Sequence, residues 1–273
     1  MHIVDGMTFL RLAALLCLGA SAAGAQARDT ISKSAPLFVP RDLLMVGGFS
    51  TATALVWPFD QQLARQFQEP RIQGNRALRT AATTFRLIGE PGSSGAAVAL
   101  YVIGRSTDNA HVEDIGLHAT ESVVLATLIS GGIKVIAGRA RPKVDVSNPR
   151  DFQLFRGIRG SSFQSFPSGH TTTAFAFAST ISSELARWQP GTRWTVGPVM
   201  YAGAALVGVS RMYNNKHWAS DVMAAAAIGT FVGTKVVRFQ HSHPGNWVDR
   251  KFLTVGVSRS TEGLAPILSF GKR

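Results

Sequence analysis

Long apolar stretches rich in Ala, Gly and Val alternate along this chain with short polar islands. The stretches are too long for strands and read as helices. They fall at 42–68, 75–87, 96–103, 113–138, 170–188, 194–213 and 217–239. The segment EPGSSG, 90–95, reads as a turn or flexible loop between two of them. The longest irregular segment runs from Arg141 to Pro167 and holds Pro142, Pro149 and Pro167. A loop of that length inside a helical domain is commonly functional. Beyond Pro244 the pattern changes, and KFLTVGVSRSTEGLAPILSF could form a short β-hairpin with TEG as its turn. The expected fold class is all-α, with that hairpin as an appendage.

The first residues do not fit this bundle. Arg11 precedes an apolar run from Leu12 to Leu18, and an A-x-A pattern follows at Ala23 to Ala25. Residues 1–25 therefore read as a secretory signal peptide. An extended lead-in at 26–40, a helical domain at 41–243 and a tail at 244–273 complete the organisation. The only cysteine, Cys17, lies in the signal segment behind Leu16, where lipid attachment needs a small residue. The mature chain then has no disulfide, no cysteine nucleophile and no cysteine-bound metal.

Composition narrows the setting. Hydrophobic residues make up 45% and charged residues 16%, and the formal net charge is +12. Such a balance suits an anionic partner. The Lys and Arg are scattered without a basic run, which argues against nucleic acid. A spanning helix needs about 20 mainly apolar residues. The charge-free runs at 43–59 and 194–210 only approach that length, and mean hydropathy is +0.12. The expectation is an exported protein, periplasmic or membrane-associated. The alternative is an integral membrane protein with its site facing the periplasm. Oligomeric state is not legible.

Three polar islands carry the candidate chemistry. In KVIAGRARP, Lys134 and Arg141 are seven residues apart. At about 100° per residue they fall within roughly 20° of one helix face, and Arg139 points well away from it. A lysine in an apolar helix needs an anionic partner, or it snorkels to solvent. In FPSGHTTTAFAF, Ser168 or Gly169 opens a helix whose free N–H groups attract anions. Gly169 allows close approach to the backbone. His170 stands at the rim, where it could donate a proton; the plainer reading is a simple N-cap at Ser168. In SRMYNNKHWASD, His217 and Asp221 are four residues apart and share a face if the segment is helical. A carboxylate on one ring nitrogen leaves the other free as nucleophile or base. Arg211 can fork onto phosphate oxygens. Cations, an anion hole, two histidines and a carboxylate are the parts needed for phosphoryl transfer without a metal.

The remaining histidines have blander readings. His111 and His118 with Glu113, Asp114 and Glu121 offer a metal cluster as the alternative to a solvated helix start, the plainer reading, and His241 and His243 fall in a loop where metal binding is likewise the lesser alternative. No metal site and no cofactor are expected.

The ordered set K-x6-RP, PSGH and SR-x5-H-x3-D resembles the signature of the type 2 phosphatidic acid phosphatase superfamily. That superfamily includes class A acid phosphatases and vanadium haloperoxidases. The resemblance runs from about residue 75 to 239 and implies a six-helix core and a phosphohistidine mechanism. It implies His217 as nucleophile, Asp221 as its orienting partner, and His170 as acid and then base. Lys134, Arg141, Ser168, Gly169 and Arg211 would bind the phosphoryl oxygens. Haloperoxidases are much longer chains. The motif contexts look like the lipid phosphatase branch, while the signal segment and weak hydropathy look like the soluble acid phosphatase branch. The expected substrate is a lipid-linked phosphate at a membrane surface. Soluble phosphate esters are the alternative, and a non-catalytic anion-binding envelope protein is a remote one.

Overall fold

Proline fixes both the start and the interruption of the first helix. The computed structural model describes residues 36–243, Asn246 and two short backbone strands; the signal segment at 1–25 and most of the lead-in lie outside the described residues. Helix α1 (Pro40–Val56) has Pro40 at its first turn, where no N–H is needed. Asp42 accepts the Val39 N–H at 2.8 Å. A 3₁₀ turn at Trp57–Phe59 carries Pro58, and α2 (Asp60–Phe67) resumes the path. The single helix expected at 42–68 is thus broken where proline removes a ladder donor.

Two short helices, α3 (Pro70–Gly74) and α4 (Arg76–Leu87), follow. Asn75 caps α4 by accepting the Ala77 and Leu78 N–H groups at 2.9 and 3.2 Å. A π-type turn at Ile88–Gly92, with Glu90 extended, leads directly into α5 (Ser93–Ser106). The loop expected at 90–95 is therefore shorter. Ser93 has joined the helix, and its hydroxyl bonds the Ile88 carbonyl at 3.0 Å.

The long helix α6 (Ala110–Ala137) is capped by Asn109 and ends at Gly138, whose φ of +56° is the left-handed C′ conformation that favours glycine. Arg156 donates to the freed Gly138 carbonyl through Nε and Nη2 at 3.1 and 2.9 Å. The chain then turns sharply into the irregular segment. Helices α7 (Gly169–Trp188), α8 (Val196–Tyr213) and α9 (Ala219–Ser242) complete the bundle. The last begins two residues later than expected, because Trp218 is still extended at ψ 160°. Strands β1 (Val257–Ser260) and β2 (Gly263–Pro266) pair antiparallel with Ser260 opposite Gly263. Thr261 and Glu262 of the expected turn lie outside the described residues.

Among the described residues, six helices of fourteen residues or more (α1 and α5–α9) dominate the all-α architecture. Helices α7 and α9 pack along each other at its centre, with α6, α8 and α1 around them. Their approach depends on small residues. A side chain at Gly229 would collide with the Thr172 carbonyl, and one at Gly233 with the Ser179 hydroxyl. Phe175, Ala176, Val222 and Ala226 fill the seam completely. The C-termini of α6 and α8 and the N-termini of α7 and α9 meet at one end of the bundle.

The outer faces are apolar. Leu43 and Leu44 on α1 are each 77% exposed, and Leu128 on α6 is 67% exposed, beside Val124 and Leu125. Among the described residues, three segments, Pro40–Phe67, Ala110–Ala137 and Ala219–Ser242, are long and apolar enough to cross a membrane. Counting uninterrupted charge-free runs understated them. Some of their charges turn inward and pair, as Asp42 does with Lys235 and Asp60 with Arg139. These faces suit membrane association.

Candidate active site

At the end where α6, α7, α8 and α9 converge, the polar islands meet. The left-handed Gly138 carries the chain from Lys134 to Arg141 around the corner. Lys134 Nζ reaches over to the Gln164 carbonyl at 3.2 Å and also donates to the Pro167 carbonyl. Lys134 passes close to Gly169, where a Cβ would make ordinary contact with Lys134 Cε at 3.5 Å. Arg141 and Arg211 enter from the irregular segment and the end of α8. The Nε of each is buried with no hydrogen-bond partner among the described residues. Arg141 makes one long contact, Nη2 to the Gln164 carbonyl at 3.5 Å. Buried guanidinium donors without partners are costly, and an anion in the shared space would satisfy them. Burial pulls the Arg141 pKa down, opposed by Asp221, and leaves the group charged.

His217 is 3% exposed and lies just before α9 rather than within it. Its Nδ1 is 2.7 Å from the Ser165 carbonyl, and Asp221 Oδ2 stands 3.6 Å away. A carbonyl can only accept, so Nδ1 carries the proton and Nε2 keeps its lone pair. The direct imidazole–carboxylate bond expected from the spacing is thus replaced by a bond to Ser165, with the carboxylate behind it. Asp221 is fully occupied elsewhere. Its Oδ2 accepts the Ser165 hydroxyl at 2.6 Å and the Trp218 N–H at 2.9 Å, and its Oδ1 accepts Arg139. Burial pushes the His217 pKa down to about 3; Asp221 pulls the other way, and Lys134 and Arg141 add to the push. The imidazole is neutral across the physiological range.

His170, in the first turn of α7, faces Glu90. Its Nδ1 is 3.0 Å from Glu90 Oε2. That bond holds the Glu90 carboxyl below the usual carboxylate range, against the opposing effect of burial. The N–H groups of Gly169, His170 and Thr171 precede the first intrahelical bond, which runs from Thr172 to Ser168 at 2.9 Å. Ser168 itself faces inward. It is fully buried, its hydroxyl pairs with Thr171 Oγ1 at 2.8 Å, and its N–H bonds the Asp221 carbonyl at 3.2 Å. Lys134, Arg141 and Arg211 lie within coulombic range of one another, and Lys134 and Arg141 of His217, while Ser168 and Asp221 are fully buried.

Several contributors escaped the sequence reading. Arg139 is 1% exposed and donates to Asp221, to Ser220 at 2.8 Å and to Asp60 at 2.7 Å. Trp57, Phe152 and Trp218 enclose its guanidinium at 4.8–5.5 Å. Pointing away from Lys134 and Arg141, as the helical angle indicated, takes it into the layer behind His217. Glu90 and Ser165 were also missed. Away from the site, His118 is buried rather than solvated, and His241 belongs to the last turns of α9 rather than to a loop.

A family model described as the PAP2 superfamily matches residues 116–243, which contain all the expected site residues. A lipid A 1-phosphatase of Porphyromonas gingivalis is 45% identical over 74 residues, covering 27% of this chain and 16% of that protein. Those of Rhizobium johnstonii and Rhizobium etli are 32% and 31% identical over 122 residues, 44% of this chain and 46–47% of theirs. The chain thus spans less than half the length of these relatives. A transmembrane PAP2 type phosphatidylglycerolphosphate phosphatase from Bacillus subtilis aligns with 69% of this chain and 95% of its own, at 21% identity and a TM-score of 0.29.

Proposed function

The chain belongs to the PAP2 superfamily, and from that premise we propose that it hydrolyses lipid-linked phosphate through a phosphohistidine on His217. The observation that carries this reading is the pair of buried, partnerless guanidinium Nε groups of Arg141 and Arg211 beside a neutral imidazole. Lys134, Arg141 and Arg211 would hold the phosphoryl oxygens, together with the free N–H groups opening α7.

In the first step, His217 Nε2 attacks phosphorus. The P–N bond forms, the bond to the leaving oxygen breaks, and His170 gives that oxygen its proton. In the second step, water attacks phosphorus while His170 takes its proton. The P–N bond breaks, releasing inorganic phosphate and regenerating both histidines. Glu90 holds the His170 ring by its Nδ1, so the same imidazole serves as acid in the first step and base in the second. The three cations supply the charge stabilisation that such a transfer needs.

The leading substrate is the 1-phosphate of lipid A, on the strength of the relatives' activity and the apolar outer faces of α1, α5 and α6. Lys216 lies within coulombic range of Lys143, Arg141 and Arg211, so the surroundings favour a strongly anionic headgroup. The same faces support an integral protein, with Pro40–Phe67, Ala110–Ala137 and Ala219–Ser242 as its spans and the site at the periplasmic end.

The test is phosphate release by the purified chain from lipid A, phosphatidate, an isoprenyl diphosphate and a soluble nucleotide. Preference for a lipid substrate is expected. Equal or faster turnover of the nucleotide would move the reading to a non-specific acid phosphatase. Separation of membranes under alkaline carbonate should leave the protein in the pellet.

A further inference from the structure

The opposite end of the bundle holds a second cluster of ionisable groups that the phosphate chemistry does not use. His118 on α6, Glu184 on α7 and His241 on α9 meet there. Along the helices they lie about 21–30 Å from Lys134, His170 and Asp221, at about 1.5 Å per residue. Glu184 is fully buried in the middle of the chain's core, where an isolated carboxylate would be very costly. Both of its oxygens turn to imidazoles. Oε1 is 2.6 Å from His118 Nδ1 and 3.0 Å from His241 Nε2, and Oε2 is 2.9 Å from His241 Nε2. The two rings stand edge to face at 80°, with centroids 5.4 Å apart.

We infer that His118, Glu184 and His241 form a binding site for a divalent transition-metal ion of the zinc class. Three observations point there. The donor atoms of the three residues all lie within 4.8 Å of one another, one from each of three helices. In a tetrahedral site with bonds of about 2.0–2.2 Å, donors stand roughly 3.3 Å apart, so a small rotation of the side chains admits the ion. Two imidazoles and one carboxylate form a set that zinc takes while keeping a fourth position open. Asp114 sits one turn before His118 on α6, half-buried and within coulombic range of all three residues. It can fill that fourth position directly or through water. His241 is partly exposed, which leaves an entry path from the end of α9.

The ion would clamp α6, α7 and α9, the helices that carry Lys134, His170 and Asp221 at their other ends. Its role is structural, and the reacting phosphate never approaches it. The inference therefore stands apart from the phosphatase reading, and its readout is metal content rather than turnover.

The experiment uses the untagged full chain in detergent, stripped with a chelator, reloaded with Zn²⁺ and passed through gel filtration. Metal analysis should find close to one zinc per chain, with a higher unfolding temperature than the stripped form. His118→Asn and His241→Asn should each weaken retention at least about tenfold, as loss of a ligand requires, while His243→Asn should retain the ion. His241→Asn, at the accessible edge, keeps the test open if His118→Asn fails to fold. Folded wild-type chain that retains no zinc would overturn the inference, as would equal retention by His241→Asn.

Discussion

Glu90 Oε2 lies 3.0 Å from His170 Nδ1, and the bond joins the turn before α5 to the first turn of α7. Glu90 therefore fixes the orientation of His170. Glu90→Gln should lower turnover by about 10–100-fold, within the range of a proton-transfer contribution. KM should change little, because Glu90 acts through the orientation of His170. A variant with wild-type turnover would show that Glu90 merely packs.

Arg139 bridges Asp60 and Asp221 in a fully desolvated layer behind His217. Removing it leaves two buried carboxylates unpaired. Arg139→Leu should cost roughly 3–5 kcal/mol of stability, as breaking a buried pair does. Combining it with Asp60→Leu should recover part of that loss, because one of the stranded charges is gone. Additive losses in chemical denaturation would argue against the shared network.

The unpartnered Nε groups of Arg141 and Arg211 predict how phosphate mimics bind. Vanadate should inhibit the wild type, and Arg211→Lys should weaken that inhibition about tenfold or more, since an ammonium cannot reproduce the guanidinium fork. Unchanged inhibition in Arg211→Lys would place the anion elsewhere.

His217 also links stability to pH. Its folded pKa of about 3 lies below the unfolded value near 6.5, so folding favours the neutral ring. That contribution is complete above about pH 6.5 and is lost as pH falls through 6.5 toward 3. His217→Asn cannot titrate. Its unfolding temperature should fall less steeply than that of the wild type across this window, and parallel curves would refute the assignment.

Much of the site was legible because its residues sit in short local patterns. Lys134 and Arg141 share a turn region, Gly169 and His170 open α7, and His217 precedes α9 by two residues. The all-α fold followed from apolar stretches too long for strands. What could not be read was contact across the chain. Glu90 looked like part of a loop, and its partner is eighty residues away in sequence. Arg139 was legible as pointing away from Lys134 and Arg141, but a helix angle does not say that this direction leads to Asp60 and Asp221. The His217–Asp221 spacing pointed to a direct bond, yet Asp221 is filled by Ser165, Trp218 and Arg139. The helices long and apolar enough to cross a membrane were undercounted because a sequence does not show that Asp42 and Lys235 neutralise each other.

The central claim is that His217 takes up the phosphoryl group. Its most direct test is rapid acid-free quenching of the purified protein with isotopically labelled lipid phosphate, followed by peptide mapping under alkaline conditions. The account predicts label on His217 in the wild type, accumulating in a burst that precedes steady-state phosphate release. His217→Ala should carry no label and show no turnover. Label on another residue, or full turnover by His217→Ala, would contradict it.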